Sequence, residues 1–476
     1  MYKCKAKDKQ GDLICNREFD EEEFQISNDE DKCILHCNKT MWHKEQDTII
    51  GKQIICDEGL YKIFYSLLYE TFKNSSKKEL KLQAIHFPFN LLNSFTFSIF
   101  IKEVNPNELY MGDCKFYGDF VLSTVDKESL KLEKLNIFNI HSDYKFTLSS
   151  CDIKDLKINN SNLNSLDIQF SFFDNLSIIG SFSPNDYRTI KNINLIKIDV
   201  KNECEIKELE IGELRINSVN FSKMTFEQLN IKNNLELNKS KFEKRLDFFD
   251  VEYKGELNLE KTLTPNKSSF LQLTSDRNKK LPIQVANRET ARIIKDSFEK
   301  QNNIIEANKF YALEMKEMEK ELKFFKKPFE WLVFKIHGMA SNHSQDFLLA
   351  LFWILNITFV TVFVQFELVC ENSFVKLLDR FFFFFGGLVF LGYGISKLRE
   401  NFRNIVIILF SIINYFIYSN TYIDDSSLKL FSNTLNPFSI MTGKDELSSG
   451  ILLYKITIAY LIYQLIISIR QNTRRK

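Results

Sequence analysis

Residues 151–180 read CDIKDLKINNSNLNSLDIQFSFFDNLSIIG, and their apolar positions recur at every fifth residue: Ile153, Ile158, Leu163, Ile168, Phe173 and Ile178. That interval matches neither the 3.6-residue turn of a helix nor the two-residue alternation of a strand. A second series runs through Ile206, Ile211, Ile216, Phe221, Phe226 and Ile231, with companions at Leu209, Leu214, Val219, Met224 and Leu229. Short-period self-similarity of this kind predicts a solenoid, in which each unit buries its inward side chain only by stacking on its neighbours. The expected coil has about four faces, one five-residue unit per face, with the twelve residues of the two main series pointing into the axis. The period breaks between about 180 and 205 and again after 232, where distorted coils are expected, and 88–150, including DCKFYGDF around Phe116, reads as more degenerate still.

On these residues the chain resembles the pentapeptide-repeat family. The resemblance implies a right-handed quadrilateral β-helix, with a large central residue and a small one two positions before it. Ser161 before Leu163 and Ser171 before Phe173 follow that rule, whereas Leu156, Leu166, Leu209 and Met224 depart from it.

Composition points the same way. The 476 residues are too many for one ordinary soluble domain, which sets an expectation of two or three folding units. Sixty-three basic residues against sixty-two acidic ones leave a formal charge of +1, so nucleic acid is not an expected partner. Forty-six phenylalanines against fifteen glycines and seven prolines suit regular, densely packed structure. MYKCKAKDKQ opens the chain without an apolar core behind it, so no cleaved secretion signal is read and the N-terminal part is expected in the cytoplasm.

Residues 347–366, FLLALFWILNITFVTVFVQF, carry no charge over about the length needed to cross a bilayer. Further candidates lie at about 377–395, 405–423 and 450–469, so a bundle of four transmembrane helices is expected over 346–476. Lys326, Lys327 and Lys335, then Lys397, Arg399 and Arg403, then Arg470, Arg474, Arg475 and Lys476 would fall on one side, with Glu367, Glu371, Asp424 and Asp425 on the other. That asymmetry predicts a multi-pass protein of a bacterial inner membrane with both termini in the cytoplasm. Asn356, Asn414, Lys455 and Gln464 are the polar residues inside these spans. They read either as bonds between neighbouring helices or as marks of a conduction path, with Lys455 placed to snorkel.

Residues 286–345 form an expected helical neck, in which Ile294, Phe298, Ile304, Tyr311, Met315, Met318 and Leu322 keep a three-four rhythm. It ends in an interfacial segment around Phe329, Trp331, Leu332 and Phe334. With the closing spans and the basic tail, this block is similar to membrane-bound bacterial pentapeptide-repeat proteins. Residues 88–285 are assigned to the solenoid, 46–87 to an amphipathic capping segment around Leu60, Ile63, Phe64, Leu67, Leu68 and Phe72, and 1–45 to a small Cys/His module.

In that module Cys4, Cys15, Cys33 and His36, with Cys37 competing for the fourth place, supply the soft ligands of a tetrahedral structural zinc site. Unliganded cytosolic cysteines are the alternative. No phosphate loop, nucleophile elbow or HExxH motif is present, so no enzymatic activity is expected. The leading functional expectation is a membrane-anchored cytoplasmic scaffold that binds a protein partner along its coil. The other is an ion channel or transporter under solenoid control, with NTLNPFSIMTGKDELSSG in the place of a pore loop. Expected partners are the lipid bilayer, an unidentified cytoplasmic protein and, for a pore, further copies of the chain.

Overall fold

The computed structural model describes residues 2–7, 13, 15–27, 32–48, 51–73, 78–89, 96–124, 129–183, 186–275, 283–370, 394, 400–421, 434–439 and 449–473. The chain divides into two compact units, Met1–Ile293 and Ile294–Lys476.

The first unit is dominated by one large sheet, eighteen strands among the described residues, whose pairings are all parallel. Parallel neighbours need a long connection between them. Here the connection is itself a strand: Leu130–Phe138 pairs with Cys151–Asn159, while the intervening His141–Ser149 pairs with Asn162–Gln169. The helices Glu58–Phe72 and Thr96–Val104 belong to the same unit. Asp57 caps the first by accepting hydrogen bonds from the Gly59 and Leu60 amides. Its buried face is Tyr61, Phe64 and Leu68, while Ile63 turns outward.

Cross-strand register explains the five-residue series. Ile158 pairs with Ile137 and Ile178, Ile178 with Ile206, Ile206 with Phe226, and Phe226 with Phe248. Ile153 belongs to a different row, with Leu132, Phe173, Val200, Phe221 and Phe242. Leu163 lies in a third, with Ile190, Ile211, Ile231 and Tyr253, and Ile168 in a fourth, with Leu148, Leu195, Ile216 and Leu237. All twelve residues of the two series are buried, as are Leu209, Leu214, Val219, Met224 and Leu229. Each fully buried side chain of this size is worth about 1.5–3 kcal/mol against exposure, so these rows supply the unit's main cohesion.

Left-handed residues mark the ends of the strands, and several are followed by a buried serine. Asn160, Phe170 and Lys239 have positive φ. Next to them Ser161, Ser171 and Ser240 each donate back to the carbonyl two residues earlier and accept from the Ile140, Cys151 and Val219 amides. A larger side chain there would leave that amide without an acceptor.

The structure corrects the expected fold class. A regular four-sided coil of five-residue faces would bring each residue back beside the one twenty positions on. Ile153 meets Phe173, but Leu163 meets Ile190 and Phe226 meets Phe248. The strands of the sheet run from 2 residues in Lys115–Phe116 to 19 in Asp199–Asn217. An insertion carrying the antiparallel pair Phe182–Ser183 and Asp186–Tyr187 interrupts the spacing. The unit is a large parallel sheet with helices, α/β-like in character, and not a clear quadrilateral β-helix.

The second unit contains the helices Ile304–Glu321, Pro328–Ser341, Phe347–Cys370, Glu400–Thr421 and Ser449–Thr473. Its core gathers Ala340, Leu349, Phe352, Trp353, Ile354, Ile407, Ile458 and Leu461. The expectation of a multi-pass inner-membrane protein is also corrected. Among the described residues one helix, Ile451–Gln471, is long and apolar enough to cross a bilayer, and Phe347–Val362 is a shorter apolar run. The side chains of Glu400–Thr421 are described only as far as Ile413, so the expected span at about 405–423 lies partly outside the described residues. The expected span at about 377–395 lies outside the described residues except for Gly394, as does the Asn414 side chain.

The remaining polar residues of the expected spans are buried. Asn356 Nδ2 donates to the Phe352 carbonyl, 2.7 Å away. Gln464 Oε1 accepts from Ser341 and Ser344 at 3.0 and 3.1 Å. Lys455 does not snorkel: its ammonium donates to the Thr434 and Asn436 carbonyls and to Ser439 Oγ, holding the segment before the last helix.

Candidate metal centre

Two local structures build the Cys/His cluster. Tyr2–Lys3 pairs antiparallel with Glu18–Phe19, and the Cys4 amide donates to the Arg17 carbonyl at 2.9 Å, which brings the Cys4 and Cys15 arms of this hairpin together. The second is the tight turn CILHC, in which the His36 and Cys37 amides both donate to the Cys33 carbonyl, at 2.9 and 3.0 Å. That turn presents Cys33 and His36 on one side. Arg17 clasps Glu23 at 2.6 and 3.0 Å, and Glu23 Oε1 accepts from the Ile34 amide, tying hairpin and turn together.

The ligand atoms of Cys4, Cys15, Cys33 and His36 lie within 4.8 Å of one another, a group that could hold a metal ion. His36 Nδ1 is 3.2 Å from Cys33 Sγ and 3.7 Å from Cys4 Sγ. The Cys33 amide also donates to Cys4 Sγ at 3.4 Å, the kind of bond that stabilises a thiolate. Cys4, Cys33 and His36 are buried and Cys15 is half-buried, so protein encloses the cluster on most sides. Cys37 is not part of it: its Sγ donates to the Ile34 carbonyl and receives Lys39 Nζ at 3.8 Å.

The electrostatics are those of a cation site. Contacts from Cys15 and Cys33 draw the Cys4 thiol down toward its ionised form, and contacts from Cys15 and Cys4, with burial, push Cys33 up. Burial works to lower His36, but the sulfurs of Cys15 and Cys4 overcome it and raise the imidazole to about 9. A thiolate and a proton thus share a small buried volume. A divalent cation can replace that proton and ionise the remaining thiols.

Sequence reading missed Lys39, Arg17 and Glu23. The Lys39 side chain is fully buried, its ammonium donating to the Ile34 and Cys37 carbonyls and lying 5.0 Å from the Trp42 and Phe64 rings. A buried ammonium is costly unless negative charge is near, and three thiolates around a divalent ion would leave one net negative charge. No pattern in the sequence marks a lysine for burial. No protein-family model, curated protein or solved structure matches this chain.

Proposed function

We propose that the chain is a non-enzymatic interaction protein, with an N-terminal module closed by a structural zinc ion and a helical unit that attaches to lipid through Ile451–Gln471. The observation that carries the attachment is the direction of the side chains on that helix. Leu453, Ile456, Tyr463 and Ile466 are exposed, while Lys455, Gln464 and Ser468 are buried. Large contiguous apolar surface is unfavourable against water and suits a lipid or protein partner. The adjoining faces add Phe402, Ile405, Ile408, Leu409 and Ile412, and Phe329 and Val333.

Zinc is favoured by the donors: three thiolates and an imidazole form a closed four-ligand set with no place for a substrate. Such a site stabilises structure and does no chemistry. An interaction role fits the long sheet, whose outward positions carry charged pairs such as Lys207 with Glu205 and Glu227, and Lys154 with Glu133.

One experiment tests both parts. The purified full chain should contain one zinc per chain by elemental analysis and should float with phospholipid vesicles. Cys33→Ser should lose the metal and still float, whereas a Leu453→Ser, Ile456→Ser, Ile466→Ser triple variant should keep the metal and sediment. Wild-type protein without zinc sinks the first part, and a triple variant that floats like wild type sinks the second.

A further inference from the structure

The first unit carries a second polar feature, apart from the metal cluster. His86, Lys115 and His141 occupy matching positions on three adjacent parallel strands: His86 pairs with Lys115, and Lys115 with His141. Adjacent strands are about 4.8 Å apart, so the three basic side chains form a ladder on one face. Two residues before each stands a left-handed residue, Ala84, Asp113 and Asn139, whose amides bond to carbonyls of the neighbouring rows. Ladder and corners together line a cavity of about 360 Å³, with Cys114 at its base and Lys7 on its other side.

Charge is unevenly distributed in this cavity. Lys7 and Lys115 are exposed, and among the described residues neither has a carboxylate within ion-pair distance; Lys115 lies instead 5.3 Å from the Tyr117 ring. The one acid in the lining, Asp113, receives the Asn139 side-chain amide. Burial first, then the positive charges of Lys39, Lys115 and Lys32, push the His86 imidazole down to about 3. His86 is therefore uncharged near neutral pH, Lys7 and Lys115 supply the positive charge, and an anion lying along the ladder meets the Lys115 ammonium between two imidazoles at a spacing of one strand.

We propose that this cavity is a binding site for a small phosphate-bearing molecule, with phosphate oxygens along His86, Lys115 and His141, Lys7 closing over them, and Asp113 accepting from a hydroxyl or amino group of the ligand. Two linked phosphates match the strand spacing better than one. Three of these five residues lie on strands of the sheet and Asp113 on the turn between two of them, so only Lys7 comes from the N-terminal module.

Calorimetric titration of the full chain with inorganic pyrophosphate, and separately with orthophosphate and ribose 5-phosphate, tests it. Pyrophosphate should bind saturably at one site and more tightly than orthophosphate. Lys115→Met, which keeps the apolar stem over Tyr117, should weaken binding about tenfold or more, as expected for loss of a charge-assisted contact. His141→Gln should weaken it less, and both variants should keep their metal content and unfolding temperature. Absence of saturable binding for all three ligands, or equal affinity in wild type and both variants, overturns the proposal. Weakening by His141→Gln alone would carry it if Lys115→Met failed to fold.

Discussion

The two units both bury apolar side chains but differ in what else they bury and in what their outer faces present. In the sheet unit, Ile, Leu and Phe point inward in continuous rows and most charged side chains point outward, Lys39, Asp167 and Asp247 being buried exceptions. In the helical unit, Asn356, Thr358, Arg403, Lys455, Gln464 and Ser468 are buried while Ile405, Ile408, Leu453, Ile456 and Ile466 are exposed. Burial of apolar surface away from water holds the first together. The second sets buried polar groups, closed by hydrogen bonds and ion pairs, beside an apolar core around Phe352 and Ile458, and has an outer face that an apolar environment would stabilise. The difference teaches that mean composition says little about a unit. What matters is which way each kind of side chain faces.

The strongest test of the contrast is Phe226→Ala. Phe226 is fully buried, stacked on Phe248 with ring centroids 4.9 Å apart, and its loss should destabilise the sheet unit by about 3–5 kcal/mol. Denaturant titration followed by the strand signal in circular dichroism measures this, and a cost below about 1 kcal/mol would mean the rows are not a packed core. In the helical unit the corresponding weak point is polar. Arg403 Nη2 lies 2.6 Å from Asp346 Oδ2, with both side chains buried. Arg403→Leu should cost about 3 kcal/mol by stranding the Asp346 carboxylate, and adding Asp346→Leu should recover most of it. Equal loss in the single and double variants would show that packing, not charge, holds the pair.

Acid should weaken both units. The folded-state pKa of His86 is depressed, so below about pH 6.5 the unfolded chain takes up a proton that the folded chain refuses. The contribution of His86 to stability is therefore complete above that pH and is lost progressively down to about 3. Burial lowers His337 and His343 as well, so the sign is the same in the helical unit. Thermal unfolding from pH 7 to 4 should show a shallower slope in His86→Gln than in wild type, and parallel slopes would remove His86 from the account. The smallest expected effect is that of Ile456→Ser, on the outer face: within about 0.5 kcal/mol in detergent. A loss comparable to that of Phe226→Ala would show that this outer face is packed and would break the contrast between the units.

The inward positions of the sheet were legible because a stacked row repeats the same demand at a short interval, and Ile153, Ile158, Leu163 and Ile168 each answer it in a different row. The pairings were not legible. An insertion before Thr189 displaces Leu163 from the partner twenty residues on to Ile190, and only the folded chain shows where the extra residues go. The helical segments misled for a related reason: a run of apolar letters records hydrophobicity but not which face is covered, and Lys455 reads as a surface cation until its three acceptors are seen.

The sequence alone determined the chemistry on offer: inward rows of aliphatic and aromatic side chains, and enough thiols and imidazoles within 37 residues to hold a metal. Those depend on residue type and short-range spacing, which are local properties. Tertiary structure decided the rest. It placed His36 rather than Cys37 in the fourth place beside Cys4, Cys15 and Cys33, because the turn directs the Cys37 sulfur toward Ile34 and Lys39. It also set His86, Lys115 and His141 side by side, since cross-strand register exists only after distant segments have paired.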